Sequence, residues 1–330
     1  IMDKKSILAI AIITIIILFL PSYYKLINGD QTQPIVSPQT PATQETTTNQ
    51  TQPEPEDVKA RKPIQPQQEA NDSKVSILDT IAQSVPISKI DIETPLVKAK
   101  INNMGGGKFY SWELKNYSTW QNDLVQIINE QINNGFDFSF ITYVGEKINL
   151  NRFSFEPAME YPERITMNSG EEKKIEYTLQ LSELTIRKAI TIYADFYHID
   201  IEFFIENPSG QLLNNEYQLG WVNGLPSNEE NRSEDYTYSE AYASMGDEVE
   251  SYSLDSEEEA EFVSINGKAD WIAIRTKYFL AAIIPGDIKT SGVNFGGYGE
   301  KVGDIVERRY LAQLNINKTD PSSDSYSIYM

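Results

Sequence analysis

His198 is the only histidine of this 330-residue chain, and it alternates with Asp200 and Glu202 in the stretch "YHIDIEFFIEN". One imidazole and two carboxylates on a single face could ligate a metal or move protons on a substrate. The chain has no cysteine and no second histidine, so a transition-metal site here would rest mostly on carboxylates. The same three residues also form the polar side of an amphipathic strand, because Tyr197, Ile199, Ile201, Phe203 and Ile205 take the opposite parity. A solvated strand face is the reading adopted. Ser–His–Asp hydrolysis has no G-x-S-x-G elbow to build on.

A second stretch, "NNMGGGKFYSWELKNY", places three glycines before a lysine. A phosphate-binding loop needs glycine, four residues, then Gly-Lys-Ser/Thr, so that backbone N–H groups wrap the anion and a hydroxyl holds magnesium. Here Phe109 comes directly after Gly107-Lys108, and Asn102 stands five residues before Gly107. The pattern fails at both ends. Beyond the glycines the chain alternates, with Tyr110, Trp112 and Leu114 on one face and Ser111, Glu113 and Lys115 on the other. The glycines therefore read as a turn entering a half-buried strand.

The acidic zone from Glu229 to Glu261 includes Glu257, Glu258 and Glu259 but no D-x-[DN]-x-[DN]-G calcium loop. It reads as a solvated, partly mobile excursion between strands, with docking of a basic partner as a further use. No metal or cofactor site is expected.

The elements that carry these residues are set by composition. Lys plus Arg number 28 and Asp plus Glu 48, a formal charge of −20. Such a balance opposes a nucleic-acid partner and adhesion to anionic lipid through a basic surface. At the N-terminus, Lys4 and Lys5 precede an apolar stretch from Ile7 to Leu20, then Tyr23 and Tyr24. Pro21, Tyr23 and Tyr24 are poor cleavage residues, so residues 1–28 read as an uncleaved transmembrane anchor, with a cleaved signal peptide as the alternative. The leading lysines place the N-terminus in the cytoplasm. Residues 29–74 are rich in Gln, Thr and Pro and read as a disordered tether, with a span of about 35–40 Å for roughly 45 residues.

Residues 75–330 are dominated by period-two segments such as "DFSFITYV", "KKIEYTLQL", "KAITIYADF" and "WIAIRTKYFLAAIIP", separated by turn signals. The window "STWQNDLVQIINEQI" is the best helical candidate, although strand and loop also fit it. The fold expected is mostly β, an antiparallel sandwich with more strands than an immunoglobulin-type domain holds.

An anchor, a tether and a large acidic β-domain, together with two local patterns, resemble the N-terminal half of the YidC/Oxa/Alb membrane protein insertase family. The first pattern is carried by Asn103, Gly105, Gly106, Ser111, Trp112, Leu114 and Tyr117, similar to that family's N-x-G-G-x-x-x-S-W-x-L-x-x-Y strand with one more residue between Gly106 and Ser111. The second is carried by Trp271, Tyr278, Phe279 and Pro285 in "ADWIAIRTKYFLAAIIP". The resemblance implies a β-supersandwich of mutarotase-like topology in the periplasm, tethered to the inner membrane. It implies structural roles for the motif residues, with Trp112 and Trp271 in the core. It implies no enzyme activity and no cofactor. The family's hydrophilic groove, with its arginine, belongs to a helical transmembrane core, and no residue here can be matched to it; the chain is expected to stop before that core.

Insertion and folding of inner-membrane proteins, alone or with the Sec translocon, is the function implied. The partners implied are nascent membrane proteins, the bilayer, the channel subunits, and the accessory subunits SecD and SecF, with Glu257, Glu258 and Glu259 as a candidate contact surface. A membrane-anchored carbohydrate-binding or mutarotase-like protein is the alternative.

Overall fold

The computed structural model describes residues 85–181, 183–206, 212–254, 260–318 and 323–330. The expected anchor, the tether and Glu257, Glu258 and Glu259 lie outside them. Among the described residues no helix is long and apolar enough to cross a membrane.

Strands dominate, as the alternation predicts, and they build three sheets. The first holds β1 (Lys89–Glu93), β2 (Val97–Asn102), β3 (Lys108–Ser118), β4 (Leu124–Asn129) and β8 (Arg164–Thr166). Their order across the sheet is β4-β3-β2-β1-β8.

The second holds β5 (Gly135–Thr142), β6 (Lys147–Asn149), β12 (Leu212–Val222), β15 (Glu261–Asn266), β18 (Thr290–Val302) and β19 (Ile305–Asn317). These six run in the order β15-β18-β19-β12-β5-β6.

The third comprises β7 (Glu156–Pro157), β9 (Glu172–Leu181), β10 (Leu184–Tyr193), β11 (His198–Glu206), β13 (Glu240–Met245), β14 (Glu248–Tyr252), β16 (Ala269–Arg275), β17 (Leu280–Pro285) and β20 (Asp324–Tyr329). The nine are ordered β14-β13-β16-β17-β20-β11-β10-β9-β7. Pairing is antiparallel except where β8 lies parallel to β1.

The nine- and six-stranded sheets face each other through aromatic side chains. Phe138 of β5 stacks on Phe203 of β11 with ring centroids 4.3 Å apart, and Tyr217 of β12 lies 4.9 Å from Phe203. Tyr326 of β20 meets Phe138 edge-on at 5.9 Å. Offset and edge-to-face rings at these distances add specific geometry to the area they bury. The result is a mostly β, antiparallel supersandwich.

Three expectations are corrected or decided by packing. The window after Ser118 is strand β4, with Val125, Ile127 and Ile128 buried against β3, so burial resolves its ambiguous period in favour of a strand. In β3, Lys100 pairs with Ser111 but Ile101 pairs with Phe109. Tyr110 is thus the extra residue of a bulge, and Phe109 joins Trp112 and Leu114 on the core side in its place. The acidic zone is not an excursion where it is described. It holds helix α1 (Arg232–Thr237) and strands β13 and β14, with Asp235 and Tyr236 of the helix, Ala241 and Ala243 of β13 and Tyr252 of β14 all buried.

Candidate functional site

The three glycines form a turn that closes against a neighbouring segment. Gly105, Gly106 and Gly107 have φ of +59°, +67° and +99°. Gly105 donates its N–H to the Phe153 carbonyl at 2.8 Å, and Phe155 donates to the Asn103 carbonyl at 2.9 Å. Asn103 is fully buried, and its amide donates to the Pro86 and Phe155 carbonyls while its oxygen accepts from Ser88 N–H. A Cβ on Gly105 would sit 3.2 Å from the Asn151 Cα, at a φ that L side chains rarely adopt, so glycine suits the turn on both counts.

The turn also holds a buried cation. Lys188 of β10 is 3% exposed and donates from Nζ to the Gly105 carbonyl at 3.3 Å. Its ammonium lies 5.1 Å from the Phe136 ring centroid and 5.0 Å from that of Phe138. Burial pushes its pKa down to about 7 from 10.5, against the opposing field of Asp137.

Asp137, at the start of β5, is 7% exposed, and burial raises its carboxyl above the ordinary range. Its Oδ2 accepts from Asn149 Nδ2 at 2.6 Å, while its Oδ1 has no protein partner. No ion pair joins it to Lys188; the two interact through the field alone.

Asp137 lines a pocket of about 260 Å³ together with Lys108, Asn133, Asn149, Asn151, Arg152, Phe109 and Phe136. Lys108 donates to Asn133 Oδ1 at 2.6 Å, and burial lowers its pKa against the fields of Asp137 and Glu130. The Asp137 Oδ1 atom has almost no accessible surface, so the carboxylate is enclosed by the wall of the pocket, not open to it.

Most residues singled out from sequence fall at structural positions. Gly105 and Gly106 stand in the turn, Ser111 is half-buried and hydrogen-bonds Glu113, and Trp112 and Leu114 are buried in the core. Trp271, expected in the core, is only half-buried on β16 opposite Ser244, because Ile272 and Ile274 take the inward positions. Tyr278 is 63% exposed at the turn between β16 and β17, with Lys277 over its ring. Phe279 packs partly against the core and meets Tyr117 edge-on at 5.9 Å, and Pro285 closes β17 opposite Tyr326.

The His198 face does not converge on a site. Asp200 accepts from Tyr193 Oη at 2.8 Å and Ser327 Oγ at 2.6 Å, Glu202 pairs with Lys174 at 2.9 Å, and the His198 ring stacks on Tyr329. Among the described residues no group of three His, Asp or Glu could hold a metal ion.

Sequence reasoning passed over Lys188 and Asp137. Lys188 did carry a signal, since it shares parity with Leu184, Ile186, Ile190 and Ile192, all buried.

Among solved structures the chain is similar to a galactose mutarotase related enzyme from Lactobacillus acidophilus, with TM-score 0.42 and 12% identity over 73% of this chain and 96% of that one. It is also similar to an alpha-galactosidase from Lactobacillus brevis, with TM-score 0.36 and 8% identity over 73% and 39%. Likenesses of that degree say nothing about activity.

Two curated relatives are named membrane protein insertase YidC. The one from Chlorobium luteolum is 28% identical over 245 residues, covering 72% of this chain and 41% of the relative. The one from Pelodictyon phaeoclathratiforme is 26% identical over 248 residues, covering 73% and 41%. The chain thus spans about two-fifths of the length of these relatives. The family described as the YidC periplasmic domain matches residues 89–330, from the first described strand through the glycine turn to the last residue of the chain. By that match the chain belongs to the YidC family, through its periplasmic domain.

Proposed function

We propose that this chain is the anchor (1–28), tether (29–74) and periplasmic domain (75–330) of a non-enzymatic membrane protein insertase that assists insertion and folding of inner-membrane proteins. The observation that carries the reading is the family match over residues 89–330. Polar groups crossing hydrocarbon cost several kcal/mol each when unsatisfied, and an insertase lowers that cost physically, without covalent chemistry. The part assigned to this chain is to hold a large, acidic β-domain near the bilayer on a flexible lead, where it meets emerging clients and the translocon. Nascent membrane proteins and the Sec translocon, including SecD and SecF, are the partners proposed, with Glu257, Glu258 and Glu259 as a docking surface.

The test is complementation. In a bacterium depleted of its own insertase, the entire gene encoding this chain is expected to restore insertion of a single-span reporter, and SecD and SecF are expected to co-purify. Failure of insertion with normal membrane accumulation removes the insertase reading. Unchanged co-purification of a Glu257→Lys, Glu258→Lys, Glu259→Lys variant removes only the docking surface.

Topology is testable without background, because the chain contains no cysteine. A membrane-impermeant maleimide added to intact spheroplasts is expected to label Ser118→Cys, at an exposed position, and to spare Ser6→Cys. The reverse pattern rejects the cytoplasmic N-terminus.

A further inference from the structure

The face of the nine-stranded sheet that is turned away from the core leaves a row of rings and aliphatic side chains exposed. We propose that the basic, proline-flanked segment of the tether, residues 61–66, docks on this face.

The platform follows from register. Tyr329 of β20 pairs with His198 of β11 on one side and with Ala282 of β17 on the other. All three take the outward parity, because Ile328, Ile199 and Ile283 next to them are buried. The His198 ring stacks on Tyr329 at 4.9 Å, and Phe196 and Tyr193 lie 5.3 Å and 5.1 Å from His198. Phe196 and Tyr329 are exposed, and so are Leu280 and Ile284, which flank Ala282 on β17. Beside the rings stands Asp200, whose oxygens accept from the hydroxyls of Tyr193 and Ser327. Neither partner carries a positive charge.

The sequence supplies an occupant of matching chemistry. Of the four basic residues between 29 and 74, three are Lys59, Arg61 and Lys62, directly before Pro63-Ile64-Gln65-Pro66. A P-x-x-P stretch favours the polyproline II helix, with three residues per turn and about 3.1 Å per residue, so Pro63 and Pro66 share one side about 9 Å apart. Aromatic-lined surfaces take such segments because the extended form costs little entropy to fix. The two ring steps from Phe196 through His198 to Tyr329, 5.3 and 4.9 Å, give the platform a comparable length. Leu280, Ala282 and Ile284 continue it as apolar surface. Arg61 and Lys62 bring the positive charge that the partners of Asp200 lack.

Reach is not limiting. Residues 67–84 can extend up to about 60 Å, against a radius of gyration of about 18 Å for a domain of this size. From Val85, whose carbonyl accepts from Ser154 Oγ, most of the domain surface is within range. Covalent linkage holds the segment at a high effective concentration. Docking would shorten the lead and park the domain near its own anchor.

This inference rests on the tether reading and needs no insertase activity. The chain has no cysteine, so Gln67→Cys carries a single nitroxide label, read by methyl NMR on the full chain in phosphatidylcholine nanodiscs. The Leu280 and Ile284 methyl signals are expected to be attenuated at least about twofold more than those of Val144 and Leu213, exposed at and beside the turn between β5 and β6. Arg61→Glu with Lys62→Glu, and separately Phe196→Ser, are each expected to abolish that difference in a chain whose other signals stay in place. Equal attenuation of the two sets overturns the proposal, and so does a difference that survives both variants. Stronger attenuation of Leu280 and Ile284 by doxyl-labelled lipid, or by the nitroxide of a second copy, would assign the face to the bilayer or to self-association and overturn it as well. None of these outcomes bears on the anchor, which the maleimide labelling tests separately.

Discussion

Gly107→Ala is expected to destabilise the protein by about 2–5 kcal/mol, whereas Gly145→Ala costs only about 1–2 kcal/mol. Both glycines have positive φ, +99° and +86°, where an L side chain is strained. They differ in what surrounds them. A Cβ at Gly107 would lie 2.4 Å from Ile190 Cδ1, 3.0 Å from Tyr177 Cε2 and 3.2 Å from Ile101 Cδ1, and all three residues are fully or almost fully buried. At Gly145 nothing lies within 4 Å. The second variant therefore reports backbone strain alone, and the first adds overpacking in a core that has no room to yield. Pulse proteolysis across a urea series measures both. Equal losses would show that φ alone sets the cost and that the turn is not wedged between the sheets.

Much of the fold was legible from sequence because period two is a strong signal. Tyr197, Ile199, Ile201, Phe203 and Ile205 announce β11, and the buried parity of that strand matches them apart from a half-buried Tyr197 at its mouth. The glycines announced a turn, and all three have the positive φ that a tight turn uses. The features that escaped are set by partners. The bulge at Tyr110 depends on how β2 and β3 align, and a single strand does not encode its neighbour's register. Trp271 carries a core-type side chain but is only half-buried, on the side of β16 opposite Ile272 and Ile274.

The pocket was invisible for a different reason. Lys108, Asp137 and Arg152 come from separate segments, and each by itself resembles an ordinary polar residue near a turn. Lys188 was the exception: a lysine in an inward series of Leu and Ile is a local contradiction, and such contradictions tend to mark sites where something besides packing is at stake.

That lysine is expected to make stability depend on pH, and removing it to abolish that dependence. In the unfolded chain Lys188 keeps its proton up to its ordinary pKa of 10.5, whereas in the fold burial brings the value to about 7. Between those two values the unfolded state binds one more proton than the native state, so stability rises with pH across that window. The slope is about 1.4 kcal/mol per pH unit at its steepest, and the accumulated cost below the window is a few kcal/mol. Lys188→Met replaces the ammonium by an apolar chain of similar length. It forfeits the hydrogen bond to the Gly105 carbonyl, worth about 1 kcal/mol, and it removes the desolvation cost.

The variant is therefore expected to exceed the parent in stability by about 2–3 kcal/mol at pH 6, and to lose that advantage by pH 10, where the parent's lysine is already neutral in the fold. Lys108 is not coupled to Lys188 and its contribution cancels in the difference, whereas Asp137 loses the lowering field of Lys188 in the variant, so its carboxyl is raised further there. Pulse proteolysis at pH 6, 8 and 10 gives the three differences. A gap that stays constant across that range would mean that Lys188 keeps its proton in the fold, and that the Gly105 carbonyl and the two phenylalanine rings hold a full charge in the interior.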